Sequence, residues 1–285
     1  MLYHQPNSLD EALRLLAEIE GARCIAGGQT LVAMLNAKLV EPEALISLAR
    51  IVPLSTISTV ENGALRIGSM ATHAAVATSP IVVRDFPMLA QTAHAIAHPA
   101  IRNFGTIGGA VAHGDPSADY PAALVASDAV IEIASTVGRR QVAVAEFFQD
   151  YLTTVLEPGE LIASITVPRP PKNTTGSYYK LARVDGDYAT VSVAAQLGVQ
   201  GGKCSHIAVA IGSAGPRPVR LPAAEAKLIG QPLSDQAIGA LGAALAEASD
   251  PIDDVRGSSD YRRAMISPLV RRVVSMLVRR LEGAS

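Results

Sequence analysis

The chain of 285 residues has two cysteines, no tryptophan and only 4% aromatic residues, although 49% of it is hydrophobic. Cys24 and Cys204 stand far apart with no CxxC spacing, so the chain lacks the ligands for an iron–sulfur cluster or a four-thiolate zinc site. The same scarcity points to a reducing compartment, and a cytoplasmic protein is expected. An excess of one charge is also missing: 24 Lys and Arg face 26 Asp and Glu, a net charge of −2. A nucleic-acid or anionic-membrane partner would call for a clustered basic face, so neither is expected. The pairs Arg271–Arg272 and Arg279–Arg280 read as the solvated side of a C-terminal helix. No apolar run is long enough for an integral membrane segment, and "MLYHQPNSLDEAL" has neither the cationic start nor the apolar core of a signal peptide.

What is present is a mixed pattern with a mean hydropathy of +0.27, long enough for one large domain or two to three small ones. Ser8 and Glu11 form a capping-box signature for the helix "LDEALRLLAEIE", with Gly21 as its stop. "RCIAG" and "ALISL" read as buried strands on either side of a helix "LVAMLNAKL" that runs toward Glu41–Pro42. From Ile57 to Val167 the strand-like runs "ALRIGSM", "AVIEIAS", "RRQVAV" and "ELIASITV" are interrupted by the helical "PMLAQTAHAIA" and "SADYPAALVAS", an α+β mixture. "PRPPKNTTGS", residues 168–177, reads as a linker resisting both helix and sheet. Three strand-like runs follow, "SYYKLARV", "YATVSVAAQLGVQ" and "HIAVAIGSAG". Helix is expected from about Pro222 onward, with Ser267–Pro268 starting the last one.

Two glycine loops are the candidate sites. In "IAGGQTL", Ile25 to Leu31, glycines between a strand and a helix admit close approach of a ligand, and the helix amides suit an anion. Thr30 serves there as a cap or as a hydroxyl donor. An ordinary glycine turn is the alternative, and GxGxxG is absent. In "NFGTIGGAVAHGDPSADYPAAL", Thr106-Ile107-Gly108-Gly109 offers a hydroxyl and a run of accessible amides. Asp119 lies downstream, placed to accept hydrogen bonds from a ribose. Asp115, before Pro116, reads as a turn residue. Two such loops suggest a diphosphate held between them, as in a dinucleotide.

The histidines carry less. His94 and His98 have the i, i+4 spacing of one helix face, but Ala95 follows His94 where a zinc protease has Glu, and no third ligand is evident. A structural role is the favoured reading. His113 either contacts a ligand or bonds backbone. No GxSxG or Cys–His nucleophile arrangement stands out.

"AGGQTLVAMLNAKL", "IRNFGTIGGAVAHGDPSADYPAAL", "YYKLARVDGDYATVSVA" and "DDVRGSSDYRRAM" occur in that order across nearly the whole chain. Together they resemble the FAD-binding medium subunit of the molybdenum hydroxylases, the family of the carbon monoxide dehydrogenase medium chain and the xanthine dehydrogenase FAD segment. The resemblance implies FAD contacts at Ile25, Ala26, Gly27, Gly28, Gln29, Thr30 and Leu31, and at Thr106, Ile107, Gly108, Gly109 and Ala110. It also implies Asp119, Leu161 and Lys180, with Asp187 and Tyr188 beside the flavin ring. Ala110 stands where many relatives have Asn, and Phe104 where many have Arg.

The implied fold is α+β: a two-subdomain FAD-binding region over residues 1–170, divided near 56, then a C-terminal domain of a small antiparallel sheet plus helices over 176–285. The implied role is electron transfer. A small partner subunit would carry [2Fe–2S] clusters and a large one the molybdenum cofactor, in a dimer of heterotrimers, with FAD passing electrons to an external acceptor. No catalytic or metal-binding residue of its own is expected in this chain. A self-contained FAD-dependent oxidoreductase and a cofactor-free assembly protein are the alternatives.

Overall fold

The computed structural model describes residues 1–283; residues 284 and 285, the end of the expected C-terminal domain, lie outside them. The chain forms an α+β structure built on three main sheets. The first is parallel, in the order Leu2–His4, Ala44–Ser47, Arg23–Ile25. Its central strand is fully buried and packs under the helix Leu9–Glu18. Ser8 caps that helix by accepting from the Glu11 amide at 3.2 Å, and the Glu11 carboxylate reaches back to the Asn7 amide at 2.9 Å. Gly21, with φ +73°, turns the chain out after the helix ends at Glu18. The strand Leu2–His4 carries no pattern that marks it in sequence; it is two-thirds exposed residues at a sheet edge. The next helix is shorter than its periodicity predicts. It spans Leu31–Asn36 with no buried residue, so no packing extends it toward Glu41.

The second sheet is antiparallel, in the order Ile57–Thr59, Leu65–Gly68, Leu161–Val167, Val130–Ser135, Gly138–Ala143. Its central strand is the late one, so residues 161–167 return between strands 65–68 and 130–135, with Leu161 opposite Ala134. The helices His73–Thr78, Pro87–Ala95, Ile107–His113 and Tyr120–Ala126 lie among the core residues of this half.

The third sheet is antiparallel in the order Thr174–Leu181, Val191–Gln200, Lys203–Gly212, Val219–Arg220. "VSVAAQL" is buried on both faces, which is why it reads as a nearly unbroken apolar run. Val193, Ala195 and Leu197 meet the helices Asp235–Glu247 and Ser259–Glu282, whereas Ala194 joins the core that includes Tyr120–Ala126.

Three expectations are corrected here. Residues 174–177 are strand, not linker, because they pair with residues 195–198 in register; the proline-rich part alone stays irregular. Pro268 does not start the last helix but sits inside it. Ser258 is the cap, accepting from the Tyr261 amide at 3.2 Å. The buried stripe Ile266, Leu269, Val270, Val273, Val274 and Leu277 runs straight past the proline, and packing outweighs its missing amide. Ala264, whose carbonyl loses that amide as donor, is exposed to water. His94 and His98 share no helix face, because the helix ends at Ala95 and His98 caps the next one.

Candidate cofactor-binding cleft

One glycine loop follows the strand Arg23–Ile25, the other leads into the helix Ile107–His113, and the two meet where Gly27 abuts Phe104 and Gly105. A Cβ on Gly27 would lie 1.9 Å from the Phe104 carbonyl oxygen, so the two loops touch backbone to backbone and only glycine permits it. Gly28 has φ +72°, a conformation that L side chains avoid. The Gln29 side-chain amide donates to the Gly27 carbonyl at 3.1 Å, holding the loop curled. Among the described residues, no protein acceptor meets the amides of Gly28, Gln29, Thr30 and Leu31. Four successive amides without a protein acceptor, on a half-buried loop at a helix start, are suited to an anionic ligand.

The second loop differs from its sequence reading. Thr106 Oγ1 caps the helix by accepting from Gly109 N at 3.1 Å. Ile107 N donates to Ala71 O at 3.0 Å, Gly108 N to Ser69 O at 2.9 Å and Ala110 N to Thr106 O at 3.0 Å. The expected run of accessible amides is therefore already bonded within the protein. The two glycines also do different work. A Cβ on Gly108 would come within 2.4 Å of Ser69 Cβ, whereas Gly109 is exposed and its nearest neighbours would be Thr106 Oγ1 at 3.0 Å and Ala26 Cβ at 3.7 Å.

Between the loops opens a cleft of about 1190 Å³. That exceeds the ~300–1,000 Å³ of ordinary small-molecule pockets and suits a dinucleotide. Residues 26–31, Thr106, Gly108, Gly109 and Ala110 line it, and Leu161 joins them from the central strand of the second sheet. Ser69, Met70, His73, Cys24 and the hairpin tip Ser135–Thr136–Val137 are also in its wall. His113 lines it too. Ile25 stands behind the first loop, and Ile107 is fully buried under the second. Burial pushes the Cys24 thiol up to about 12.

Asp119 and Lys180 do not line this cleft. Asp119 is buried, accepting from the Tyr178 hydroxyl at 2.6 Å and pairing with Lys180 Nζ at 3.0 Å. Lys180 also donates to Ala95 O at 2.7 Å. Burial raises the Asp119 pKa, opposed by the Lys180 ammonium and the Tyr178 hydroxyl. Burial, reinforced by Asp119, holds the Tyr178 phenol well above its ordinary range, so it remains a donor.

Tyr188 lies at a second pocket, and Asp187 bonds the Arg256 that lines it. Asp187 accepts from Arg256 Nε at 3.0 Å, and this bond leads the causes that hold its carboxyl below the usual range. The Arg256 guanidinium sits 5.0 Å from the centre of the Tyr188 ring. Tyr188, Tyr151, Arg256 and Asp115 line a space of about 340 Å³. Asp115 makes the expected turn, accepting from the Ser117 amide at 2.8 Å. Among the described residues no group of three or more His, Cys, Asp or Glu is placed to hold a metal.

Residues 1–170 match the family described as the FAD binding domain in molybdopterin dehydrogenase, and residues 176–277 match the CO dehydrogenase flavoprotein C-terminal domain. The chain belongs to the FAD-binding medium subunits of the molybdenum hydroxylases. It is 36% identical over 274 residues to the carbon monoxide dehydrogenase medium chain of Hydrogenophaga pseudoflava, covering 96% of this chain and 95% of that one. It is 35% identical over 272 residues to the nicotine 6-hydroxylase medium subunit of Paenarthrobacter nicotinovorans, covering 95% of each. The solved structure of carbon monoxide dehydrogenase from Hydrogenophaga pseudoflava, in a form lacking the Mo-pyranopterin moiety, superposes with a TM-score of 0.94 at 38% identity over 98% of both chains.

The cleft suits the FAD of this family: a left-handed glycine, a loop contact that excludes any side chain, and unpaired amides on one wall are what a diphosphate requires. Sequence reasoning singled out both loops but assigned no role to Ser69, His73, Tyr178 or Arg256. Tyr178 and Arg256 stood inside the quoted motifs, beside the residues that were chosen. Ser69 and His73 lie in "GSMATH", which carries no spacing signal.

Proposed function

We propose that this chain is the FAD-carrying electron-transfer subunit of a molybdenum hydroxylase. It takes electrons from [2Fe–2S] clusters on a small partner subunit, delivers them to an external acceptor, and leaves substrate oxidation to a large molybdenum subunit. The observation that carries the reading is the cleft between two touching glycine loops, with its unpaired amides at Gly28 to Leu31. Bound FAD exchanges one or two electrons, which lets one-electron clusters feed a two-electron acceptor. The chain's own residues bind and orient: Gly27 and Gly28 bring backbone to the diphosphate, Gly109 leaves room beside it, and Leu161 supplies an apolar wall. The 285 residues hold only Cys24 and Cys204 and so lack the ligands for a cluster, which supports placing the donor on a partner.

Assembly as a dimer of heterotrimers is part of the same proposal. The test is purification of the native complex through a tag on this chain, followed by flavin, iron and molybdenum analysis. Two further polypeptides, with about four irons and one molybdenum per FAD, are the expected result, the iron count being that of two [2Fe–2S] clusters. An active, iron-free monomer or homo-oligomer would instead make the protein a self-contained flavoenzyme.

A further inference from the structure

Among the described residues lining the cleft, Ser69 and His73 are the two whose side chains hold a buried polar atom with no partner. Ser69 Oγ and His73 Nδ1 are inaccessible and meet no protein donor or acceptor. The residues are 3% and 5% exposed. Buried polar groups are nearly always bonded, so two orphans on one wall call for an occupant.

The backbone that carries the two side chains is held in place. The segment that carries them is tied to the second glycine loop by Gly108 N to Ser69 O at 2.9 Å, Ile107 N to Ala71 O at 3.0 Å and His73 N to Gly105 O at 2.9 Å. Behind His73 the Tyr120 ring packs at 5.5 Å between centroids, and Gly105 approaches the other side so closely that a Cβ there would lie 2.7 Å from Nε2. Two elements thus meet at one wall: the rigid loop contact, and a pair of polar atoms beside it.

The chemistry of the pair separates it from the first loop. Amides only donate, which matches phosphate oxygens. A serine hydroxyl both donates and accepts. Burial, with the charge of Arg102 adding to it, lowers the His73 pKa to about 4, so its ring is neutral and offers one donor and one acceptor nitrogen. Groups that donate and accept match hydroxyls, whereas a neutral imidazole adds no charge to hold a phosphate.

We propose that Ser69 Oγ and His73 Nδ1 bind the sugar hydroxyls of the bound dinucleotide, on its ribityl chain or its ribose, and so recognise the polyol part of the cofactor. The inference rests on the cofactor reading above and names two residues which that reading does not use.

The test is equilibrium binding of FAD, FMN and ADP to the FAD-stripped full chain, by flavin fluorescence and by calorimetry, with apo melting temperatures alongside. Ser69→Ala and His73→Phe should each weaken FAD about fivefold to tenfold, the range of one hydrogen bond. The apo melting temperature should stay level or rise, because an unsatisfied polar group has been removed. His73→Asn, which keeps a polar atom near the Nδ1 position, should restore most of the affinity. A ribityl contact weakens FMN and spares ADP; a ribose contact does the reverse. Equal weakening of FMN and ADP would assign the pair to phosphate and overturn the proposal. So would FAD affinity within about twofold of the parent in both variants. A fall in apo melting that His73→Asn does not reverse would make the role structural and also overturn it. Gly109→Val separates the two readings: if it abolishes FAD binding while the Ser69 and His73 variants bind normally, the cofactor site stands and the hydroxyl contacts do not. A parent chain that binds no FAD defeats both.

Discussion

Lys180 Nζ lies 3.0 Å from the Asp119 carboxylate, with the two side chains 9% and 7% exposed. The partners are 61 residues apart, one beside the helix Tyr120–Ala126 and the other on the first strand of the third sheet. With Tyr178 as a third member, the pair fastens the C-terminal sheet to the FAD-binding half. The resemblance implies that both residues touch FAD; the structure surrounds them with protein partners.

Breaking a buried pair on one side leaves an uncompensated charge, which costs about 3–5 kcal/mol. Lys180→Met should therefore lower the melting temperature of the FAD-free chain by roughly 6–20 °C, at about 2–4 °C per kcal/mol for a chain of this size. The double variant Asp119→Leu with Lys180→Met should recover most of the loss. Calorimetry of the apo chain checks it. An unchanged apo melting temperature in Lys180→Met would return Lys180 to the cofactor.

The adjacent glycines should fail in different ways. Gly108→Val drives a branched side chain into the Ser69 backbone, where nothing flexible can yield, so soluble folded protein should be lost. Gly109→Val meets the Thr106 hydroxyl at 3.0 Å and Ala26 Cβ at 3.7 Å, and Gly109 lines the cleft. It should fold with a small loss of stability and contain no flavin. Circular dichroism and the flavin-to-protein absorbance ratio separate the outcomes. A folded, flavin-loaded Gly109→Val would remove the loop from the site.

His73 sets a pH dependence of stability. Its folded pKa of about 4 lies below the ordinary 6.5, because burial disfavours the imidazolium and Arg102 repels it. Between these values the unfolded chain binds the proton and the folded chain does not. The contribution is complete above about pH 6.5 and falls away as the pH drops toward 4, by at most about 3 kcal/mol. Urea midpoints measured from pH 7.5 to 4.5 should fall more steeply for the parent chain than for His73→Phe. Parallel curves would show that His73 titrates normally in the folded protein.

The loops and the α+β mixture were legible because their signals are local. Gly27 and Gly28 follow an apolar strand, and Thr106 sits three residues before Gly109, the spacing of a helix cap. Contacts between distant segments left no such trace. That Gly108 is glycine because Ser69 presses on it, and that Asp119 spends its carboxylate on Tyr178 and Lys180, depends on how three sheets stack. Pro268 and residues 174–177 were misread for the same reason. Local preference argued for a boundary, and packing of a helix stripe and pairing of a strand overrode it.

Tyr188 carries the separation of electron relay from substrate chemistry, now that Lys180 is committed to the interior. The residue is 43% exposed at the second pocket, its ring held under the Arg256 guanidinium, which in turn bonds Asp187. Tyr188→Phe keeps the ring and the stacking and should change little. Tyr188→Ala should leave the fold intact, because a half-exposed side chain is lost. Arg256→Met removes both the stacking cation and the Asp187 bond, so it should loosen the 183–188 turn and mimic Tyr188→Ala. In the assembled complex, bleaching of iron–sulfur absorbance by substrate should proceed at the parent rate in all three variants. Turnover with the physiological acceptor should fall in Tyr188→Ala and Arg256→Met alone. Loss of substrate-driven bleaching in Tyr188→Ala, with reoxidation unchanged, would place this chain on the substrate side of the reaction and sink the relay.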